Sequence, residues 1–130
     1  MRLGATLYIA DSHGAVDFYC KAFGLELGYH EMNPDGTYLH AALMRDGNEI
    51  FAVSESRNDA FVEQMVHGTS LKDRPTMSYG IDFPNEEELR HAYAMLIEGG
   101  NILHPIGPLP WCRCAADVVD KYGVYWYICV

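Results

Sequence analysis

Apolar and polar positions follow one of two periods along most of this chain, and the switches between them mark its elements. Residues 4–10, Gly-Ala-Thr-Leu-Tyr-Ile-Ala, read as a first strand. Asp11 or Ser12 then caps a helix in which Ala15, Phe18, Tyr19, Ala22 and Phe23 recur as one buried stripe. Gly24 ends that helix as a left-handed cap. Residues 25–32 and 37–45 read as strands around an Asn33-Pro34-Asp35-Gly36 turn. Asp46-Gly47 is the strongest hairpin signal, and residues 48–54 make the fourth strand.

Residues 55–75 lose the alternation. They are rich in Ser, Asn, Asp, Gly and Pro and read as a long connector, with Phe61, Val62, Met65 and Val66 making one short amphipathic turn. The pattern then begins again. Residues 76–83 are a strand, and Asn85 with Glu88 opens a second helix as a capping box. Leu89, Ala92, Tyr93 and Leu96 form its stripe, and Gly99-Gly100 end it. Residues 101–104 are a short strand, residues 105–110 a Gly/Pro loop, and residues 111–130 a hairpin turning at Asp120-Lys121-Tyr122-Gly123. Strand–helix–strand–strand–strand therefore occurs twice: module one over 1–54, the connector over 55–75, module two over 76–130. Eight strands and two helices predict an α+β fold of two paired βαβββ modules within a single 130-residue domain. Each sheet buries one face under its helix and leaves the other free to line a cavity.

Composition narrows the partners. An apolar content of 49% can fill a core. A net charge of −9, with nine scattered Lys and Arg, argues against nucleic acid. No run is long enough for a membrane span, and residues 1–4 lack a signal-peptide core. Four cysteines without a disulfide framework point to a reducing cytoplasm. Strand alternation puts Cys112 and Cys114 on one face, as ordinary thiols or as a weak zinc signal.

Two stretches carry a family likeness. Asp11…Phe18-Tyr19-Cys20-Lys21-Ala22-Phe23-Gly24 fits the pattern D-x(6)-F-Y-x-x-x-x-G, and Asp120-Lys121-Tyr122-Gly123 fits D-x-x-G before a last strand. The chain resembles the vicinal oxygen chelate superfamily of glyoxalase I, extradiol dioxygenases and fosfomycin and bleomycin resistance proteins. Leu39-His40-Ala41, Glu98-Gly99-Gly100, Trp111 and the ending Asp120-Lys121-Tyr122-Gly123-Val124-Tyr125-Trp126 resemble its PhnB-like branch. The resemblance implies a glyoxalase-like curved sheet around a cavity, and a homodimer. It also implies a divalent metal held by residues of the first, fifth and last strands. Those positions carry Gly4, Ser78 or Tyr79, and Tyr127. Neutral Ser and Tyr are poor ligands for Zn²⁺, Mn²⁺ or Fe²⁺, so the expected cofactor set is none.

The candidate site residues follow from alternation and from this resemblance. Tyr38, His40 and Ala42 fall on one face of the third strand, which directs His40 to the cavity as a general base or hydrogen-bond donor, or leaves it a structural histidine. Tyr8, Tyr79, Tyr125 and Tyr127 form an aromatic box or simply core, with Trp126 on the face opposite Tyr127. Trp111 and Arg113 stand at the mouth, where Arg113 holds an anionic group or is merely solvated. Asp117 is a candidate acid/base group. Two functions follow: capture of a small organic or aromatic ligand without a metal, or a glyoxalase-like lyase, isomerase or dioxygenase using a weakly held divalent metal.

Overall fold

A computed structural model describes all 130 residues, Met1–Val130. The element order is β1 (Thr6–Ile9), α1 (Ser12–Phe23), β2 (Glu26–Met32), β3 (Tyr38–Arg45), β4 (Asn48–Glu55), α2 (Asp59–Gly68), β5 (Tyr79–Asp82), α3 (Glu86–Leu96), β6 (Asn101–Leu109), β7 (Cys112–Val119) and β8 (Tyr125–Cys129). It is an α+β chain with two compact units, Met1–Asn58 and Asp59–Val130. The two sheets have matching orders, β1-β4-β3-β2 and β5-β8-β7-β6.

In the first unit the predicted helical stripe is the core. Ala15, Phe18, Tyr19, Ala22 and Phe23 are all buried, and Gly24 takes the left-handed conformation that ends α1. Asp11 is the cap, accepting from the Gly14 N–H. The first helical residue, Ser12, is buried, and its Oγ accepts the Tyr38 N–H at 3.0 Å, fastening α1 to β3. Tyr19 meets Phe51 edge-on at 5.4 Å and stacks on Phe23 at 5.9 Å. Asp46 and Gly47 both have positive φ, as a two-residue hairpin between twisted strands requires.

In the second unit α3 packs on β7 and β8 and buries Leu89, Ala92 and Leu96. Alternation along β8 assigns Trp126 and Ile128 to this helix-covered face, and Tyr125, Tyr127 and Cys129 to the opposite face, which is closed at Tyr125 by Met65 of α2 and is open only beyond it, where Tyr127 and Cys129 are half-buried. A buried carboxylate locks the β7–β8 turn. Asp120 accepts from the backbone N–H groups of Tyr122 (2.8 Å) and Val124 (3.2 Å) and from the Trp126 indole N–H (2.8 Å).

Several local expectations are corrected. The connector contains a full ten-residue helix, α2, so the chain has three helices rather than two. Met65 of α2 is buried with Leu103, Val119 and Tyr125, so tertiary packing stabilises a segment whose own pattern is weak. The Gly/Pro segment after His104 is no loop. It continues β6 to Leu109, because β6 is an edge strand, where a proline without a ladder N–H is tolerated. The register shift between Leu109/Cys112 and Gly107/Ala115 inserts an extra residue in β7. Cys112 and Cys114 consequently do not share a face. Cys114 is buried beside Glu86 and Arg90 of α3, and Cys112 turns to the open face. A similar shift at Leu39 separates Tyr38 from His40. Tyr38 packs against His13 of α1 at 4.3 Å, whereas His40 pairs with Glu31 on the face away from the helix.

Candidate functional site

The open face of the second sheet gathers most of the chain's unspent chemistry. Three strands supply it: Gly80 and Asp82 from β5; Tyr125, Tyr127 and Cys129 from β8; Asp117 from β7. Strand pairing brings them together, since Gly80 lies beside Tyr127, Asp82 beside Cys129, and Asp117 opposite Tyr127.

At one end, Trp111 stands at the β6–β7 hairpin with 73% of its surface exposed. Its indole N–H donates to the Tyr127 hydroxyl at 2.9 Å, and the Cys112 thiol lies 3.7 Å from the same oxygen. The indole edge is therefore anchored while most of its surface faces solvent. The Cys129 thiol donates to Asp82 Oδ1. Burial first, and the Asp82 bond second, push its pKa up to about 11, so it stays an unreactive thiol at neutral pH.

Burial also pushes the Tyr127 phenol from its ordinary 10.0 up to about 12, against the opposing Trp111 hydrogen bond. A raised pKa means the folded state holds the proton more tightly than the unfolded chain. The stability this confers is complete below about pH 10 and is lost as pH climbs towards about 12. The difference in urea midpoint between wild type and Tyr127→Phe should shrink across that window. A difference that stays flat from pH 8 to 12 would refute the shift.

Beside this group is a polar cluster. The Tyr125 hydroxyl donates to Asp117 Oδ1 at 2.6 Å, and Arg74 Nη1 lies 4.0 Å from the same oxygen. Asp117 is 7% exposed, while the Arg74 side chain is 52% exposed. Burial, then the bond to Asp117, raises the Tyr125 pKa, so both tyrosines of this face are neutral phenols. His104 faces Asp117 across the strand pair and keeps a buried Nδ1 with no hydrogen-bond partner.

The remaining predicted residues lie elsewhere. Tyr79 pairs with Trp126 and touches its ring at 5.8 Å, on the α3 side of the sheet, so it is not part of the open face. Parallel partners share a face, and the strand placed Gly80 rather than Tyr79 beside Tyr127. Arg113 is exposed at the start of β7. Tyr8 and His40 belong to the first unit, where both lie on the sheet face away from α1. Tyr8 is 62% exposed, and His40 has Tyr29 at 6.3 Å, whose hydroxyl donates to Glu31. Sequence reasoning missed Arg74, Asp82, His104 and Cys129. Alternation outward from Tyr127 leads to Cys129, but nothing in the aperiodic residues before β5 marks Arg74.

No protein-family model and no curated protein matches the sequence. Solved structures do match along its whole length. The PhnB protein from Bacillus cereus is 24% identical, with a TM-score of 0.74 over 99% of this chain and 98% of that one. A glyoxylase/bleomycin resistance protein/dioxygenase domain from Frankia sp. is 13% identical, with a TM-score of 0.66 over 100% and 96%. The fosfomycin resistance protein FosX from Listeria monocytogenes, solved with Mn(II) and sulfate, is 15% identical, with a TM-score of 0.60 over 98% and 89%. The paired βαβββ units have the fold of the vicinal oxygen chelate superfamily. The PhnB protein is among the structures that share it. No helix is long and apolar enough to cross a membrane.

Proposed function

We propose that this chain binds a small planar or aromatic organic molecule on the open face of its second sheet, without a metal of the superfamily type. One observation carries the reading: Trp111 is 73% exposed, yet its N–H is tied to Tyr127. A ring held at its edge offers its face for stacking at low entropic cost. Tyr127, Tyr125 and Asp117 supply polar groups beside it, the usual make-up of a small-molecule site.

The donor set supports the absence of a superfamily-type metal. Gly4 has no side chain to offer, Tyr79 lies against Trp126 on the α3 side of the sheet, Ser78 is a neutral hydroxyl, and the Tyr127 hydroxyl already accepts the Trp111 N–H. These groups do not fit a Zn²⁺ or Mn²⁺ site, which takes deprotonated or imidazole donors.

The test is Trp fluorescence against a panel of naphthols, quinolines and lactams, with metal analysis of the purified protein. Bound rings should quench wild type, and Trp111→Phe should abolish the quenching, because the remaining Trp126 is 1% exposed. No quenching and no thermal shift across the panel would sink the binding reading. Stoichiometric, tightly held Mn, Zn, Ni or Fe would sink the metal-free part of it.

A further inference from the structure

The cluster around Asp117, which pairs with Tyr127 across the strands, has hydrogen-bonding capacity that the protein itself does not use. Tyr125 and Arg74 both address Oδ1 of Asp117. Oδ2 has no protein partner, and unlike His104 Nδ1 it is not a fully buried orphan. Arg74 sits at 4.0 Å, a loose ion pair, and its guanidinium carries five N–H donors on a side chain that is 52% exposed. One face therefore presents a cation with spare donors beside an anion with a spare acceptor. The pair is close to neutral as a unit. It is complementary to a neutral ligand edge that carries a C=O acceptor next to an N–H donor.

Resting on the ligand-binding reading above, we propose that the ligand is a planar lactam or carboxamide. Its ring stacks on Trp111, its carbonyl accepts from Arg74, and its N–H donates to Asp117 Oδ2. Tyr127 links the two halves, since it pairs with Asp117 and holds the Trp111 indole. A free carboxylate ligand fits less well, because Asp117 Oδ2 would meet another anion. A protonated amine fits less well, because Arg74 would meet another cation.

Calorimetric titration of the intact protein decides the matter, with 2-quinolinone, its N-methyl derivative, quinoline and 2-naphthoate as probes. The lactam should bind about tenfold or more tightly than the N-methyl compound, because methylation removes the donor to a charged acceptor. Arg74→Gln, a change on an exposed side chain, should weaken the lactam about tenfold. N-methyl-2-quinolinone or 2-naphthoate binding as tightly as the lactam would overturn the proposal, as would an unchanged Arg74→Gln. If quinoline binds while the N–H makes no difference, this inference alone falls. If none of the four binds, the ligand-binding reading falls with it.

Discussion

Replacing Asp120 by Ala should cost the protein about 3–5 kcal/mol. The side chain is completely buried, and its two oxygens take the Tyr122 and Val124 N–H groups and the Trp126 indole N–H. Alanine would leave those donors without an acceptor in a closed turn, and each is worth about 1.5–3 kcal/mol when its partner is charged. For a chain of this size the melting temperature should fall by at least about 10 °C. Asp120→Asn keeps an acceptor but adds two donors with nowhere to go, and should lie between Ala and wild type. Differential scanning calorimetry reads all three. A loss of less than about 3 °C for Asp120→Ala would mean that the carboxylate does not hold the turn. The consequence reaches the candidate site, because the turn sets β8 in register with β7 and so places Tyr127 opposite Asp117.

Tyr19→Ala should be comparably severe in the first unit, about 3–5 kcal/mol, the range for deleting a large buried ring. Tyr19 has no exposed surface and lies among Phe18, Phe23 and Phe51. Its removal leaves a cavity between α1 and β4 that neighbouring rings cannot fill without leaving their rotamers. Urea unfolding should show a lower midpoint. A shift equivalent to less than about 1 kcal/mol would show that the core of this unit collapses around the gap.

Both residues stand in the two motifs that first suggested the family likeness. Phe18-Tyr19 and Asp120…Gly123 are legible because each does local work: a ring on a helical stripe, and a carboxylate beside a tight turn in which Gly123 has φ +83°. The candidate site was less legible. Trp111, Tyr125 and Tyr127 stood out as large rings on strands, and alternation directed the last two to one face. Alternation failed at Leu39 and between Cys112 and Ala115, because a bulge adds one residue and reverses every later side chain. Bulges leave no reliable trace in apolar periodicity. The placement of Tyr79 turns on a related point: a one-residue difference in register puts Gly80 beside Tyr127 and Tyr79 beside Trp126.

The sequence by itself determined the doubled βαβββ order, the two buried helical stripes, and the caps and turns at Gly24, Asn85, Asp46-Gly47 and Asp120. Each depends on neighbours within about four residues, so spacing and residue type suffice. Only the tertiary structure decided that the residues after Glu55 form a helix that closes the Tyr125 end of this face of the second sheet, with Met65 against Leu103, Val119 and Tyr125. Only it brought Arg74 to Asp117 and Trp111 to Tyr127, which lie 43 and 16 residues apart in the chain. Such contacts are made by strand register and packing against distant surface, and no local period encodes them.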